Sequence, residues 1–149
     1  MPANDSESLH HIRRLVLKYS MQPFGTLIDN PSQLLKICTV TGSSYATHPH
    51  ANMHVYISRK ALKHFAESRS LELSKHHTLA QIMASIWFAI GHIPETILEY
   101  DTYSNEQRTK HFYQKNYSHL GRPNLRILLE VKNGALEVVS IHFRKVPKK

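Results

Sequence analysis

The sequence predicts an α+β domain, with N-terminal helices packed on a mostly antiparallel sheet of four to five strands. Three observations carry this expectation. Apolar residues recur at helical spacing up to about Ile90. Runs rich in β-branched and aromatic residues take over after Pro94. An Asn133-Gly134 pair between the last two runs marks a hairpin. At 149 residues the chain is about the size of one ordinary domain, long enough for a single core.

Residues Ser6 to Tyr19 read as an amphipathic basic helix, with Leu9, Ile12, Leu15 and Val16 inward and Arg13, Arg14 and Lys18 outward. Asp5 or Ser6 is the expected cap. After Pro23 to Pro31, the segment Gln33 to Val40 fits a short helix or a strand. The Ser-, Thr- and His-rich Thr41 to Asn52 fits a loop. The expected organisation is an N-terminal helical appendage and linker, 1–52, ahead of a core, 53–149, the two forming one compact unit.

Met53 to Ile57 suits a strand, and Ser58 suits the N-cap of a helix from Arg59 to Arg69 with Ala61, Leu62, Phe65 and Ala66 inward. His64 stands at the border of that stripe. Thr78 caps a second helix carrying Leu79, Ile82, Met83, Ile86 and Ile90, which stops at Gly91 ahead of Pro94. Strands are expected at Ile97 to Tyr100, Lys110 to Tyr117, Leu125 to Val131 and Leu136 to Val146.

The hairpin register decides which side chains share a face, since a one-residue slip moves every side chain to the other side. A two-residue Asn133-Gly134 loop would set Arg126 opposite Ile141. A three-residue loop, Lys132-Asn133-Gly134 with Gly134 left-handed in a bulge, makes Leu125, Ile127, Leu129, Val139, Ile141 and Phe143 one apolar face. It also gathers Arg126, Ser140, His142 and Arg144 on the other. The second register is expected, because a half-buried sheet separates apolar from polar faces. Alternation on Lys110 to Tyr117 groups His111, Tyr113, Lys115 and Tyr117, which are expected to continue the polar face.

Charge points to the partner class. Nineteen Lys and Arg against eleven Asp and Glu give +8 with the twelve histidines neutral, which favours a polyanion. A single cysteine, Cys38, rules out an intramolecular disulfide and fits a reducing compartment. The polar, acidic start to Glu7 does not read as a secretory signal. The longest apolar run, Ile82 to Ile90, falls well short of the roughly 20 residues of a membrane span. No membrane partner and no cofactor is expected. His48, His50 and His54 would share one face if extended, as a zinc site needs, but Pro49 argues against a regular strand; solvated loop histidines are the expectation, and His76-His77 reads as an inter-helix loop.

The order strand, Ser-Arg-Lys-Ala-Leu-Lys-His helix, amphipathic helix, Ile-Pro-Glu-Thr-Ile, then strands ending in Val-Ser-Ile-His-Phe resembles a known group. It is similar to the nuclease superfamily uniting barnase, EndoU, colicin-type tRNases and RelE, most closely its phage and polymorphic-toxin branches. The likeness covers about Met53 to Val146. In it His64 corresponds to a helical His, Ile93-Pro94-Glu95 to a step before the first sheet strand, Lys115 to a middle-strand base and Ser140 to a final-strand Ser or Thr. Arg69 stands near where many phage-type members carry a second His.

The resemblance implies metal-independent RNA cleavage, the ribose 2′-OH attacking the adjacent phosphate to leave a 2′,3′-cyclic phosphate. Such chemistry needs a proton acceptor, a proton donor and cations. Under it His64 and His142 take the acid and base roles in either order, and Lys115, Arg126 and Arg144 hold the phosphate. Ser140 bonds a nonbridging oxygen or orients an imidazole, Arg69 assists substrate binding, and Tyr113 and Tyr117 stack on bases. The implied partners are RNA, tRNA included, and an acidic immunity protein or antitoxin; the implied site of action is cytoplasmic, with delivery into another cell compatible. Oligomeric state is not legible. The competing reading is a noncatalytic nucleic-acid-binding or partner-binding module using the same basic face.

Overall fold

The computed structural model describes residues 5–40, 48–73, 77–107 and 109–144. In chain order the elements are α1 (Asp5–Met21), β1 (Leu34–Thr39), β2 (His54–Ser58), α2 (Arg59–Leu73), α3 (Leu79–Gly91) and α4 (Ile93–Leu98). They continue with β3 (Thr102–Gln107), β4 (Lys110–Lys115), a 3₁₀ turn (Ser118–Leu120), β5 (Asn124–Lys132) and β6 (Ala135–Arg144). The architecture is α+β.

One sheet contains all six strands, in the order β1-β2-β6-β5-β4-β3. It exceeds the expected four to five strands, and it is mixed: β2 and β6 are parallel, while every other pair is antiparallel. The parallel pair arises because everything from α2 to β5 intervenes between β2 and β6, the long crossover such pairing requires. Segment Gln33 to Val40, ambiguous in sequence, is the edge strand β1. Helix α1 packs on α2, α3 and β1, so the residues before Asn52 supply a strand and a helix to the same core.

Strand residues Val55, Ile57, Leu125, Ile127, Leu129, Leu136 and Val138 share that core with Ile12, Val16, Leu62, Ile86 and Ile90 from the helices. The local devices are those expected. Ser58 Oγ accepts a hydrogen bond from the Ala61 amide at 3.0 Å. Thr78 and Gln81 form a reciprocal capping box, Gln81 N to Thr78 Oγ1 at 3.2 Å and Thr78 N to Gln81 Oε1 at 2.9 Å. The side chains of Asp5 and Ser6, residues 41–47, His76 and the end of the last strand beyond Arg144 lie outside the described residues.

Two local expectations are corrected. Arg13 does not point outward: its guanidinium lies 4.5 Å from the centre of the Trp87 ring, and Nε donates to the Trp87 carbonyl at 3.0 Å. Gly91 makes this possible, since a Cβ there would overlap the Arg13 guanidinium. The expected strand Ile97 to Tyr100 does not form: Ile97 and Leu98 end α4, which has Pro94 in its first turn, where a missing N–H costs nothing. Ile93, Thr96 and Ile97 are buried by it.

Candidate functional site

The β5–β6 hairpin reaches the expected faces by an unexpected route. The turn is the two-residue Asn133-Gly134, both left-handed at φ 52° and 76°, with Lys132 paired to Ala135. The extra residue enters further along: Leu129 pairs Val138 and Leu128 pairs Ser140, leaving Val139 as a bulge. Val138, not Val139, therefore faces the core, and Val139 is exposed. Beyond the bulge Arg126 pairs His142 and Asn124 pairs Arg144, so Arg126, Ser140, His142 and Arg144 share the face away from the core.

β2 pairs β6 only from Leu136 to Val138, after which the chain of β2 turns into α2. The remainder of β6 runs on beside α2, and a cleft of about 130 Å³ lies between them. Its polar lining is His64, Ser68, Arg69 and Glu72 from α2 with Ser140 and His142 from β6. Across Ala61, His64 and Val139 it adjoins a hollow of about 540 Å³ bordered by Lys60 and Lys132. Across Arg69, Glu72 and Phe143 it adjoins another of about 640 Å³ bordered by His77 and Arg122. Cations thus line a trough along most of α2.

Within the cleft, Ser140 Oγ and His142 Nε2 share a hydrogen bond of 2.5 Å. His142 is exposed overall, but partial desolvation of its ring, then the charges of Arg144 and Arg126, hold the imidazole below the usual histidine range, with Glu72 opposing. Arg69 Nη1 donates to Glu72 at 2.9 Å, and its guanidinium lies 4.0 Å from the centre of the Phe143 ring. That stacking fixes a cation at the end of the cleft while leaving part of its donor fork unused.

Arg126 sits one strand inward from His142, 4.0 Å over the Phe112 ring and 3.0 Å from Glu106 Oε1. Arg144 is exposed at the strand end. The structure separates the other three. On β4, Tyr113 pairs Ile127 and Lys115 pairs Leu125, which places them on the face opposite Arg126 and His142. Tyr113 is fully buried and bonded to His50 Nδ1 at 2.6 Å. Tyr117 is fully buried and bonded to Thr96 Oγ1 at 2.8 Å. Burial pushes both phenols above their ordinary range. Neither offers a ring to a base. Lys115 Nζ donates to the Glu99 carbonyl at 3.1 Å, remote from the cleft. The expectation failed because continuing a face across strands requires the register, which residue types in one strand do not contain.

His48 and His50, expected as solvated loop residues, are buried, whereas His54 is exposed on β2 and bonded to Thr39 at 3.0 Å. The three do not converge. Among the described residues no group of three His, Cys, Asp or Glu side chains could hold a metal ion. Ser68, Glu72 and Phe143 of the cleft were not singled out from sequence. For Glu72 the signal was its i,i+3 spacing from Arg69. Compared with known proteins, the chain matches no family, no curated protein and no solved structure.

Proposed function

We propose that this protein is a metal-independent endoribonuclease whose active site is the cleft between α2 and β6. The observation that carries the reading is the hydrogen-bonded Ser140–His142 pair lining one cleft together with His64 and Arg69. His142, whose imidazole partial desolvation and two arginines bias toward the neutral form, accepts the proton of a ribose 2′-OH. The 2′ oxygen attacks phosphorus, the bond to the 5′ oxygen breaks, and His64 donates the proton that the leaving oxygen requires. Arg69 and Ser140 hydrogen-bond the nonbridging oxygens as charge accumulates on them. The products are a 2′,3′-cyclic phosphate and a free 5′-hydroxyl.

The trough from Lys60 and Lys132 past Arg69 to Arg122 supplies the electrostatic track for an extended polyanion. The resemblance of Met53 to Val146 to the barnase, EndoU, colicin and RelE superfamily is one of sequence, and it suggests the same chemistry. On this reading the substrate is cytoplasmic RNA, tRNA included, the biological setting is that of a toxin, effector or phage enzyme, and an acidic inhibitor covers the cleft. No helix among the described residues is long and apolar enough to cross a membrane.

The test is incubation of purified protein with total RNA in excess EDTA, beside His142→Ala, with end-group analysis. Cleavage to cyclic phosphate that the substitution abolishes is the expected result. Salt-sensitive RNA binding without cleavage would replace the enzyme with a nucleic-acid-binding module.

A further inference from the structure

Residues 48–52 belong to the connection between β1 and β2 at one edge of the sheet, yet the side chains of His48 and His50 reach β4 towards the opposite edge. His50 Nδ1 bonds Tyr113 of β4 at 2.6 Å, and its ring lies 4.2 Å from that of His111, also on β4. His48 stacks on Tyr113 at 5.1 Å and bonds the Ile97 carbonyl at 2.7 Å. The segment is a strap, tied to its own edge by Asn52 N to Val40 O at 2.7 Å and to the far edge through imidazoles.

The far-edge ties use neutral rings. His48 Nδ1 accepts from the His50 amide at 3.0 Å, so Nε2 carries the proton that it donates to Ile97. His111 Nδ1 accepts from the Asn105 side-chain amide at 3.1 Å, so a proton there would meet that donor, while Tyr103 Oη, 2.7 Å away, can give or take the proton of its bond. The groups facing His50 are His48 from the strap, Tyr103 of β3, and His111 and Tyr113 of β4. Tyr100, ahead of β3, closes the cluster against His48 and Tyr113. No carboxylate among the described residues is bonded to these three imidazoles. A charge on one ring would be buried beside two other imidazoles and three phenols.

We propose that residues 48–52 form an acid-released strap, which protonation of His50 and His111 frees from β3 and β4 while the central strands stay paired. The strap lies outside the proposed active cleft and shares none of its residues. The sign follows from linkage. Burial, then His111 and His48, lower His50 to about 4, and burial lowers His111; both return to the ordinary histidine value of about 6.5 once released. The closed strap therefore binds fewer protons than the open one between those values. As pH falls through the His50 window, opening becomes more favourable by up to about tenfold per pH unit, and His111 adds in the same direction.

Hydrogen exchange measured by NMR on the full chain tests this. Relative to intrinsic rates, the His50 amide of the wild type, bonded to the His48 ring, is expected to lose roughly 40-fold protection or more between pH 6.5 and 4.5, while β5 and β6 amides keep theirs. His50→Gln retains a hydrogen-bonding group for Tyr113 without a titrating ring, and its strap protection is expected to change far less. Equal loss in both proteins, or constant protection in the wild type, would overturn the proposal. Direct titration of the wild-type His50 ring protons needs no variant: a midpoint well below 6.5, with the ring's contacts to Tyr113 and His111 lost on protonation, supports the strap, and a midpoint near 6.5 or contacts that persist refute it.

Discussion

Arg126 stands directly across the β5–β6 ladder from His142, and it does so because Val139 is an extra residue in β6. With the two-residue turn alone, regular pairing would bring Arg126 opposite Ile141 and put Ser140 and His142 on the other face. The bulge shifts the remaining ladder by one residue, so Arg126 shares a face with Ser140 and His142, the latter two reaching the cleft, while Ile141 stays in the core.

The turn that starts this ladder is open to a stability test. Asn133 and Gly134 both adopt positive φ, as a type I′ turn demands. Gly134→Val should lower stability by about 1–2 kcal/mol, since a β-branched residue resists the left-handed region. Urea denaturation would read the loss as a lower midpoint with an unchanged slope. An unchanged midpoint would contradict the turn.

The cleft predicts how an alanine series on RNA cleavage will divide. His142→Ala and His64→Ala should each reduce kcat by roughly 10²–10⁴, the range for losing a general base or acid. Lys115→Ala should leave kcat near wild type, because its ammonium is bonded to the Glu99 carbonyl on the other side of the sheet. Single-turnover kinetics would separate these effects from binding. A Lys115→Ala loss as large as that of His142→Ala would move the site to the opposite face.

The pH profile should carry the signature of His142. Its lowered value means the neutral, proton-accepting form persists as pH falls below the ordinary histidine range, so the acid limb of kcat/KM lies on the acid side of about 6.5. Arg144→Ala removes a positive charge that disfavours the imidazolium, and should move the limb to higher pH. Glu72→Gln removes the opposing charge and should move it lower. NMR titration of the His142 ring would check both directions without turnover.

Removal of residues 1–40 should abolish cooperative folding. It would take Ile12, Val16, Tyr19, Ile37 and Val40 from the core and strip β1 from β2. The bare β2 edge would also invite association. Loss of dispersed amide resonances and of protease resistance is expected. A truncated chain retaining both would mean that these residues are dispensable for the fold.

The site was legible where a single element carries it. His64 and Arg69 fall within one predicted helix, and Ser140 and His142 are two residues apart on one strand, so each pair needs only the period of its own element. Lys115, Tyr113 and Tyr117 were misplaced because their face depends on pairing with β5, which sets Tyr113 opposite Ile127. Separating polar from apolar faces grouped Arg126 with His142 correctly but located the extra residue at the turn, beside Gly134, instead of at Val139.

What the sequence by itself determined is local: the Thr78 cap, the Ser58 cap, the helical stripes and the place of the last hairpin's turn at Asn133 and Gly134, though not its length. Each is decided by groups within a few residues of one another, so side-chain type and spacing suffice. The tertiary structure alone decided the parallel β2–β6 neighbours, the bulge at Val139 and the burial of His50 against Tyr113, which lies 63 residues away. α4 shows the same limit, because Ile93, Thr96 and Ile97 are held by a core assembled from distant segments. Such choices turn on the burial and hydrogen bonding of residues brought together only when the sheet closes, and no window along the chain contains both partners.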